Sequence, residues 1–516
     1  MTRKLGYILI VLLALLLGWA LVCTSLGGVL PVSVELGRLA LPIAAFAVIS
    51  FFLTLDRDKT MAVCLALLGA SALIESLLGA AQLAGLADSR HATFSITGNF
   101  VNPGPFGGYL AFAALIALAL LIRRRLKGWQ RVAAIAVGAV AVVMMLLSRS
   151  RAAWLAFAVA GSLLVCFESD LFKRLKRKGL IVAAAAVVIA AAGFGAYQLK
   201  PDSARGRFHI WQMDCRVIAE HPLTGTGPGL EMSAFGDVQA DFYASEPRGI
   251  EKMSMASVAE YPFNEFLGAG MSCGLSGLVL ALAVYALAII IEARRRSLLL
   301  WPLVAFGVFA LFSYPLSQVA TMLVLVLCLA DAAAGDGLKK GGRIAWGVAA
   351  ALLLVLIAPS LVFQARVKAD KMAYRRLIHL EKFTPEMYAT YYETQKYNPS
   401  FLYFYALNEF AEGKDEHAAE LLESAALIDS EPMIHSLLGE CHLRLGHPAQ
   451  ALEDYLRAYY VAPTRVYPLL KIMELYKLSG RSDAAQAVRE YALSLPVERT
   501  QTKTLEIRKR IKNYEL

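Results

Sequence analysis

Between residues 5 and 363 the chain consists of apolar runs separated by short polar breaks. The runs fall at about 5–25, 38–54, 61–84, 105–122, 132–147, 152–167, 179–198, 264–291, 298–312, 316–332 and 344–363. Most are about 16–25 residues long, the length a helix needs to cross roughly 30 Å of hydrocarbon. The pattern therefore predicts about eleven membrane-spanning helices. After about residue 365 the runs stop and charged residues become frequent. A membrane region over 1–365 followed by a soluble region is expected, and the whole fold is expected to be all-α.

The soluble region has its own period. Gly413, Gly446 and Gly480 are spaced by about one tetratricopeptide unit. Ala418, Ala451 and Ala485 follow the glycines, and Ala425, Ala458 and Ala492 follow those. Glycine suits the turn between two helices, small alanines let the helices approach, and Pro463 closes the middle unit. Residues 398–516 are thus expected to form a tetratricopeptide-like α-solenoid, reached through a helical connector over 366–397. Its expected role is to dock a protein partner, without chemistry of its own.

Charge orients the chain. Basic residues prefer cytoplasmic loops. With Arg3 and Lys4 inside, alternate loops carry Arg57 and Lys59, then the 123–131 group, Lys173 to Lys178, Arg294 to Arg296, and Lys339, Lys340 and Arg343. The opposite short loops carry only Arg38, Arg90, Arg149 and Arg151. An odd number of spans then places the C-terminal domain outside. The expected location is the inner membrane, with a cytoplasmic N-terminus and a periplasmic C-terminal domain among membrane lipids. A long polar loop at 199–261 lies on the same outer side.

Composition agrees. The chain is 58% hydrophobic and its mean hydropathy is +0.54. Its net charge of +10 follows the loop pattern, so nucleic acid is not an expected partner. The cysteines form no C-x-x-C pair, which argues against a metal or redox centre. The N-terminal apolar run has no small-residue cleavage site after it and is read as a first span.

Candidate chemistry lies in the outer loops. Arg149 and Arg151 sit in a tight turn, Ser148-Arg149-Ser150-Arg151. They fit snorkelling to water or gripping phosphate with a planar fork. Arg205, Arg207 and Arg216 crowd the start of the long loop, with Trp211, Ile210, Val217 and Ile218 among them. That spacing predicts an interfacial amphipathic helix, resting on headgroups or adding its arginines to a pyrophosphate site. The helix ends in Pro222-Leu223-Thr224-Gly225-Thr226-Gly227-Pro228-Gly229, a glycine turn of the kind that can cradle phosphate. Because it follows a helix and no strand, a dinucleotide fold is excluded. His221 is a candidate base, or a solvated loop histidine.

Four segments together resemble the O-antigen ligase and polymerase superfamily of membrane glycosyltransferases. They are Gly98-Asn99-Phe100-Val101-Asn102-Pro103 through Leu110, Ser148-Arg149-Ser150-Arg151-Ala152-Ala153-Trp154, Gly206-Arg207 to Trp211 with the glycine turn, and Asn264-Glu265-Phe266-Leu267 with Gly274-Leu275-Ser276-Gly277-Leu278. Tyr314-Pro315-Leu316 fits a weaker fifth. The likeness covers about residues 90–330.

The resemblance implies a GT-C-like membrane domain and a glycan donor on undecaprenyl pyrophosphate. An acceptor hydroxyl attacks the anomeric carbon and the lipid pyrophosphate leaves, with no metal and no cofactor. Arg149, Arg151, Arg207 and Arg216 are then expected to hold the pyrophosphate, with Asn264, Glu265 and His221 as catalytic candidates. The acceptor is a lipid A-core sugar, a growing glycan or a protein. The ligases place a histidine just before the asparagine-glutamate pair; here Tyr261 and Phe263 stand there. Glu265, Glu260 or His221 are the available substitutes. A lipid-glycan flippase and a pure membrane scaffold are the non-enzymatic alternatives.

Overall fold

In the computed structural model, residues 2–124, 126–169, 201–245, 256, 258–334, 340–380, 383–495 and 502–515 are described. No strand occurs among the described residues. The helices are α1 (Thr2–Gly27), α2 (Val32–Leu55), α3 (Arg57–Leu83), α4 (Pro103–Ile122), α5 (Trp129–Leu147) and α6 (Arg151–Glu168). Then come α7 (Pro201–Glu220), α8 (Glu231–Ser245), α9 (Glu265–Arg295), α10 (Leu300–Ala310), α11 (Val319–Ala334) and α12 (Lys340–His379). Eight of these, α1 to α6, α9 and α12, are long and apolar enough to cross a membrane, and α10 and α11 are shorter apolar helices. The expected span at 179–198 and the basic loop from Lys173 to Lys178 lie outside the described residues, as does Lys339.

Helix α4 is the hub. It is apolar all round and most of its residues are buried, as a helix enclosed by others must be. Its start is set by Asn102, whose side chain accepts from Gly104 N at 2.8 Å, with Pro103 in the first turn. Two glycines let neighbours close in. A Cβ on Gly107 would meet Ser148 Oγ at 2.6 Å, and one on Gly108 would meet the Phe309 ring. The α3–α4 loop is clamped from α3. Gln82 Oε1 accepts from Thr97 N and Gly98 N, while Glu75 accepts from Asn99 N at 2.8 Å and Asn99 Nδ2 at 3.0 Å.

At the end of the bundle away from α7 and α8, two of the basic loop residues, Arg57 and Arg123, are paired with carboxylates of other helices. Arg57 holds Asp331 through two bonds of 3.0 and 2.9 Å, and Ser297 Oγ donates to the same carboxylate. Arg123 pairs with Glu168, which also accepts from Trp301 Nε1 at 2.7 Å. Residues that read as topology signals therefore also tie helices together, because a charge at the lipid boundary needs a partner.

Helix α9 is broken. Gly274 has φ 67° and ψ −173°, a conformation open only to glycine. The break frees carbonyls, and a second segment takes them. Thr226 N donates to Met271 O at 2.8 Å, Gly227 N to Ser272 O at 3.0 Å, and Trp19 Nε1 to Cys273 O at 2.9 Å. In return Leu275 N donates to Pro222 O at 2.8 Å. The glycine turn after α7 is thus a clasp on the kink of α9. Its N–H groups at 226 and 227 are spent on backbone, which overturns the expectation that the turn cradles phosphate.

Helix α12, at 40 residues, runs about 60 Å, twice the hydrocarbon thickness, and passes residue 365 without a break. It leads into α13 (Met387–Gln395), α14 (Pro399–Ala411), α15 (Asp415–Ala426), α16 (Pro432–Arg444), α17 (Pro448–Val461), α18 (Val466–Leu478), α19 (Ser482–Ser494) and α20 (Thr502–Asn513). Gly413, Gly446 and Gly480 lie in the turns of successive helix pairs, each with φ between 71° and 80°. Ala418, Ala425, Ala451, Ala458, Ala485 and Ala492 are fully buried between the helices. Helices α14, α16, α18 and α20 line a groove of about 1130 Å³, with Tyr403, Phe410, Met433, Arg444, Tyr467 and Lys503 in its wall.

Candidate active site

The quoted segments converge at the end of the bundle next to α7. The α5–α6 turn places Arg149 at φ 57°, with Ser148 Oγ donating to Met145 O at 2.6 Å and Ser150 accepting from Ala153 N as the cap of α6. Ser150 Oγ donates to Gly104 O at 3.3 Å, so this turn is stitched to the start of α4. Arg151 is the first residue of α6; Arg149 is exposed.

Arg207 enters from α7. Its Nη1 donates to Phe312 O at 3.0 Å and its guanidinium lies 5.3 Å from the centre of the Phe263 ring. Among the described residues no carboxylate pairs with it. Burial first, and then the like charge of Arg151, push its pKa down from the ordinary arginine value. The cation is therefore less comfortable here than in water, and an incoming anion relieves that. Two neighbouring guanidiniums of this kind form an arrangement that can take an anion.

The loop from Phe312 to Ser317 completes the wall. Tyr314 stacks on Tyr261 with ring centres 4.0 Å apart and planes 6° from parallel, and Phe263 meets Tyr314 edge-on at 5.3 Å. Both phenols are pushed above the ordinary tyrosine value, mainly by burial. They stay protonated at neutral pH and present O–H donors. The place where a ligase histidine was expected is thus filled by an aromatic stack. Asn264 caps α9, its Oδ1 accepting from Phe266 N at 3.0 Å and Leu267 N at 3.2 Å. Glu265 accepts from Leu316 N at 2.6 Å, which ties the start of α9 to the same loop.

Two candidates stand elsewhere. Arg216 is nine residues from Arg207, and at 3.6 residues per turn that is half a turn away. It is exposed and lies 4.8 Å over the Phe242 ring of α8, away from Phe312. His221 follows the far end of α7, about 20 Å along the helix from Arg207, and is exposed. So Arg207 and Glu265 meet at one loop and Arg151 lies near Arg207, while Arg216 and His221 do not join them. The helix carrying Arg207 is also no headgroup float: it packs against α9 on one side and α8 on the other. Arg205 is exposed on α7.

Sequence reasoning missed the Tyr261–Tyr314 stack and Phe312 as the carbonyl that holds Arg207. It also missed Asp214 on α7. That carboxyl has zero exposure and, among the described residues, no hydrogen-bond partner for either oxygen; it lies with Ile210, Trp211, Val217 and Ile218 on one face of the helix. An acid inside an apolar helical stripe was the available signal.

The fold defines a multi-pass helical membrane protein that brings Arg207 near Arg151 at one end of its bundle. Residues 139–282 match the model of the O-antigen ligase family. That stretch contains Arg149, Arg151, Arg207, Arg216, His221, Asn264 and Glu265. No curated protein matches the chain.

Proposed function

We propose that this protein is a membrane glycosyltransferase of the O-antigen ligase type. It takes a glycan from undecaprenyl pyrophosphate and transfers it to an acceptor hydroxyl outside the inner membrane. The observation that carries the reading is Arg207, half-buried beside Arg151 and without a carboxylate partner among the described residues, within the matched stretch. The acceptor oxygen forms a bond to the anomeric carbon, and the bond from that carbon to the pyrophosphate oxygen breaks. Negative charge grows on the leaving oxygen, where preorganised guanidiniums stabilise it more than the ground state. The acceptor proton goes to a carboxylate, and Glu265, bonded to Leu316 N in the loop that holds Arg207, is the candidate. The topology that suits this reading puts the α7 end of the bundle and the C-terminal stack outside the cytoplasm. The groove of the C-terminal stack suits a protein partner or acceptor.

The test is direct. Purified full-length protein in lipid nanodiscs is given undecaprenyl-pyrophosphate glycan and, in turn, lipid A-core, glycan and protein acceptors. Release of undecaprenyl pyrophosphate with appearance of a glycosylated acceptor is expected. Intact donor with every acceptor class, from protein that is folded and inserted, would sink the proposal.

A further inference from the structure

Helix α8 is docked on the C-terminal stack as if it were one more of its helices. Ser233 Oγ donates to Ala426 O at 2.9 Å and Ser430 Oγ to Met232 O at 3.0 Å. Asp237 pairs with Arg457, and a Cβ on Gly236 would collide with the Ser430 side chain. Tyr243 is buried in one apolar cluster with Ala451, Tyr455, Tyr459 and Leu469 of the stack. These contacts involve the ends and backs of the helix pairs and leave the groove between α14, α16 and α18 open.

One buried line of hydrogen bonds continues from the stack to α7, the helix that carries Arg207. Gln239 Nε2 donates to Val461 O, the last carbonyl of α17, at 2.7 Å. Its Oε1 is then the acceptor for His209 Nε2 on α7, at 2.9 Å. Gln239 has zero exposure and His209 is 8% exposed. His209 and Arg207 are two residues apart, about 200° around the helix. One therefore faces α8 while the other faces Phe312. Helix α7 is held between the stack on one side and the anion site on the other. A rotation of α7 that lengthens the Gln239 bond also moves Arg207 from Phe312.

We propose that the C-terminal stack is a positioning element of the transfer site, setting Arg207 through the strut Val461–Gln239–His209. The inference rests on the transfer reading for its kinetic consequence, although the strut itself does not. Gln239 and His209 are positioning residues, since neither lies with the reacting groups. The reason such a strut matters is that a shift of about 1 Å at a charge-stabilising group costs on the order of a hundredfold in rate.

The test uses the full chain. Gln239→Leu removes both bonds at nearly constant volume, and kcat is expected to fall roughly ten- to a hundredfold with KM within about twofold. Gln239→Glu can replace both bonds only while its carboxyl is protonated. Around it α7 presents His209, α8 presents Asp237 and Tyr243, and α17 presents Arg457. Its kcat should be close to that of the native protein at low pH and drop as the carboxyl ionises, a step the native profile lacks. Ser233→Ala loosens docking without touching the strut and should keep kcat near native. In parallel, hydrogen–deuterium exchange of the α7 amides should quicken in Gln239→Leu and not in Ser233→Ala. Native kcat in Gln239→Leu, or a pH profile for Gln239→Glu like the native one, overturns the proposal. If the native protein transfers nothing, the functional reading has failed, and unchanged α7 exchange in Gln239→Leu then overturns the strut separately.

Discussion

Replacing Gly274 with alanine tests whether the glycine turn holds the kink of α9. At φ 67° and ψ −173° a residue with a Cβ carries a strain of about 1–3 kcal/mol. The new methyl would also overlap the backbone of Leu223 and Thr224, which cannot swing aside as a side chain can. To make room the clasp must open. The bonds at stake are Thr226 to Met271, Gly227 to Ser272, Leu275 to Pro222 and Trp19 to Cys273. Each is worth about 0.5–1.5 kcal/mol net, so losing even two of them brings the total to roughly 2–6 kcal/mol. In a detergent-solubilised full chain of 516 residues, at about 2 cal/mol/K of unfolding entropy per residue, the apparent Tm should fall by roughly 2–6 °C. Gly69 is the matched control. It is inside α3 with open space where a Cβ would go, so Gly69→Ala should be neutral or stabilise by about 0.5–1 kcal/mol. Equal melting of Gly274→Ala and the native protein would refute the clasp. So would an equal loss in both variants, since that reports glycine replacement in general.

Arg207→Ala should lower transfer by about 10²–10³ with insertion intact, and Arg207→Lys should recover only part because it lacks the fork. Arg216→Ala, whose native side chain rests on Phe242, should change turnover by less than about threefold; a loss as large as that of Arg207→Ala would return Arg216 to the site. Asp214 has its carboxyl pushed up to about 8 by burial, so the folded chain keeps a proton that the unfolded chain releases above about pH 4. Its contribution to stability therefore falls as pH rises from about 4 to about 8 and is level above; Asp214→Asn should remove that slope, and an unchanged slope of apparent Tm against pH refutes the assignment. A reporter active only in the cytoplasm, fused after Leu516, should stay dark, and a bright signal refutes the orientation.

Much of the architecture is written in local pattern. Each apolar run among the described residues, from 5–25 to 344–363, became mostly helix, with a break at Gly274 inside the 264–291 run, because length and hydropathy are properties of a contiguous segment. The turn glycines at 413, 446 and 480 and the buried alanines after them were likewise readable, since a tight turn and a close helix pair each demand one residue type at one spacing. Helical phase was also available in principle: a separation of nine positions from Arg207 to Arg216 means opposite faces whatever they pack against. What pattern alone did not decide is where a polar group finds its partner. The clasp joins residues 222–227 to 271–275, and the strut joins 209 to 239 and 461. A glycine turn has the same local signature whether its N–H groups meet phosphate or the carbonyls of a broken helix. Only the tertiary structure settles that, because a backbone donor in a crowded interior bonds to whatever acceptor the fold brings within about 3 Å.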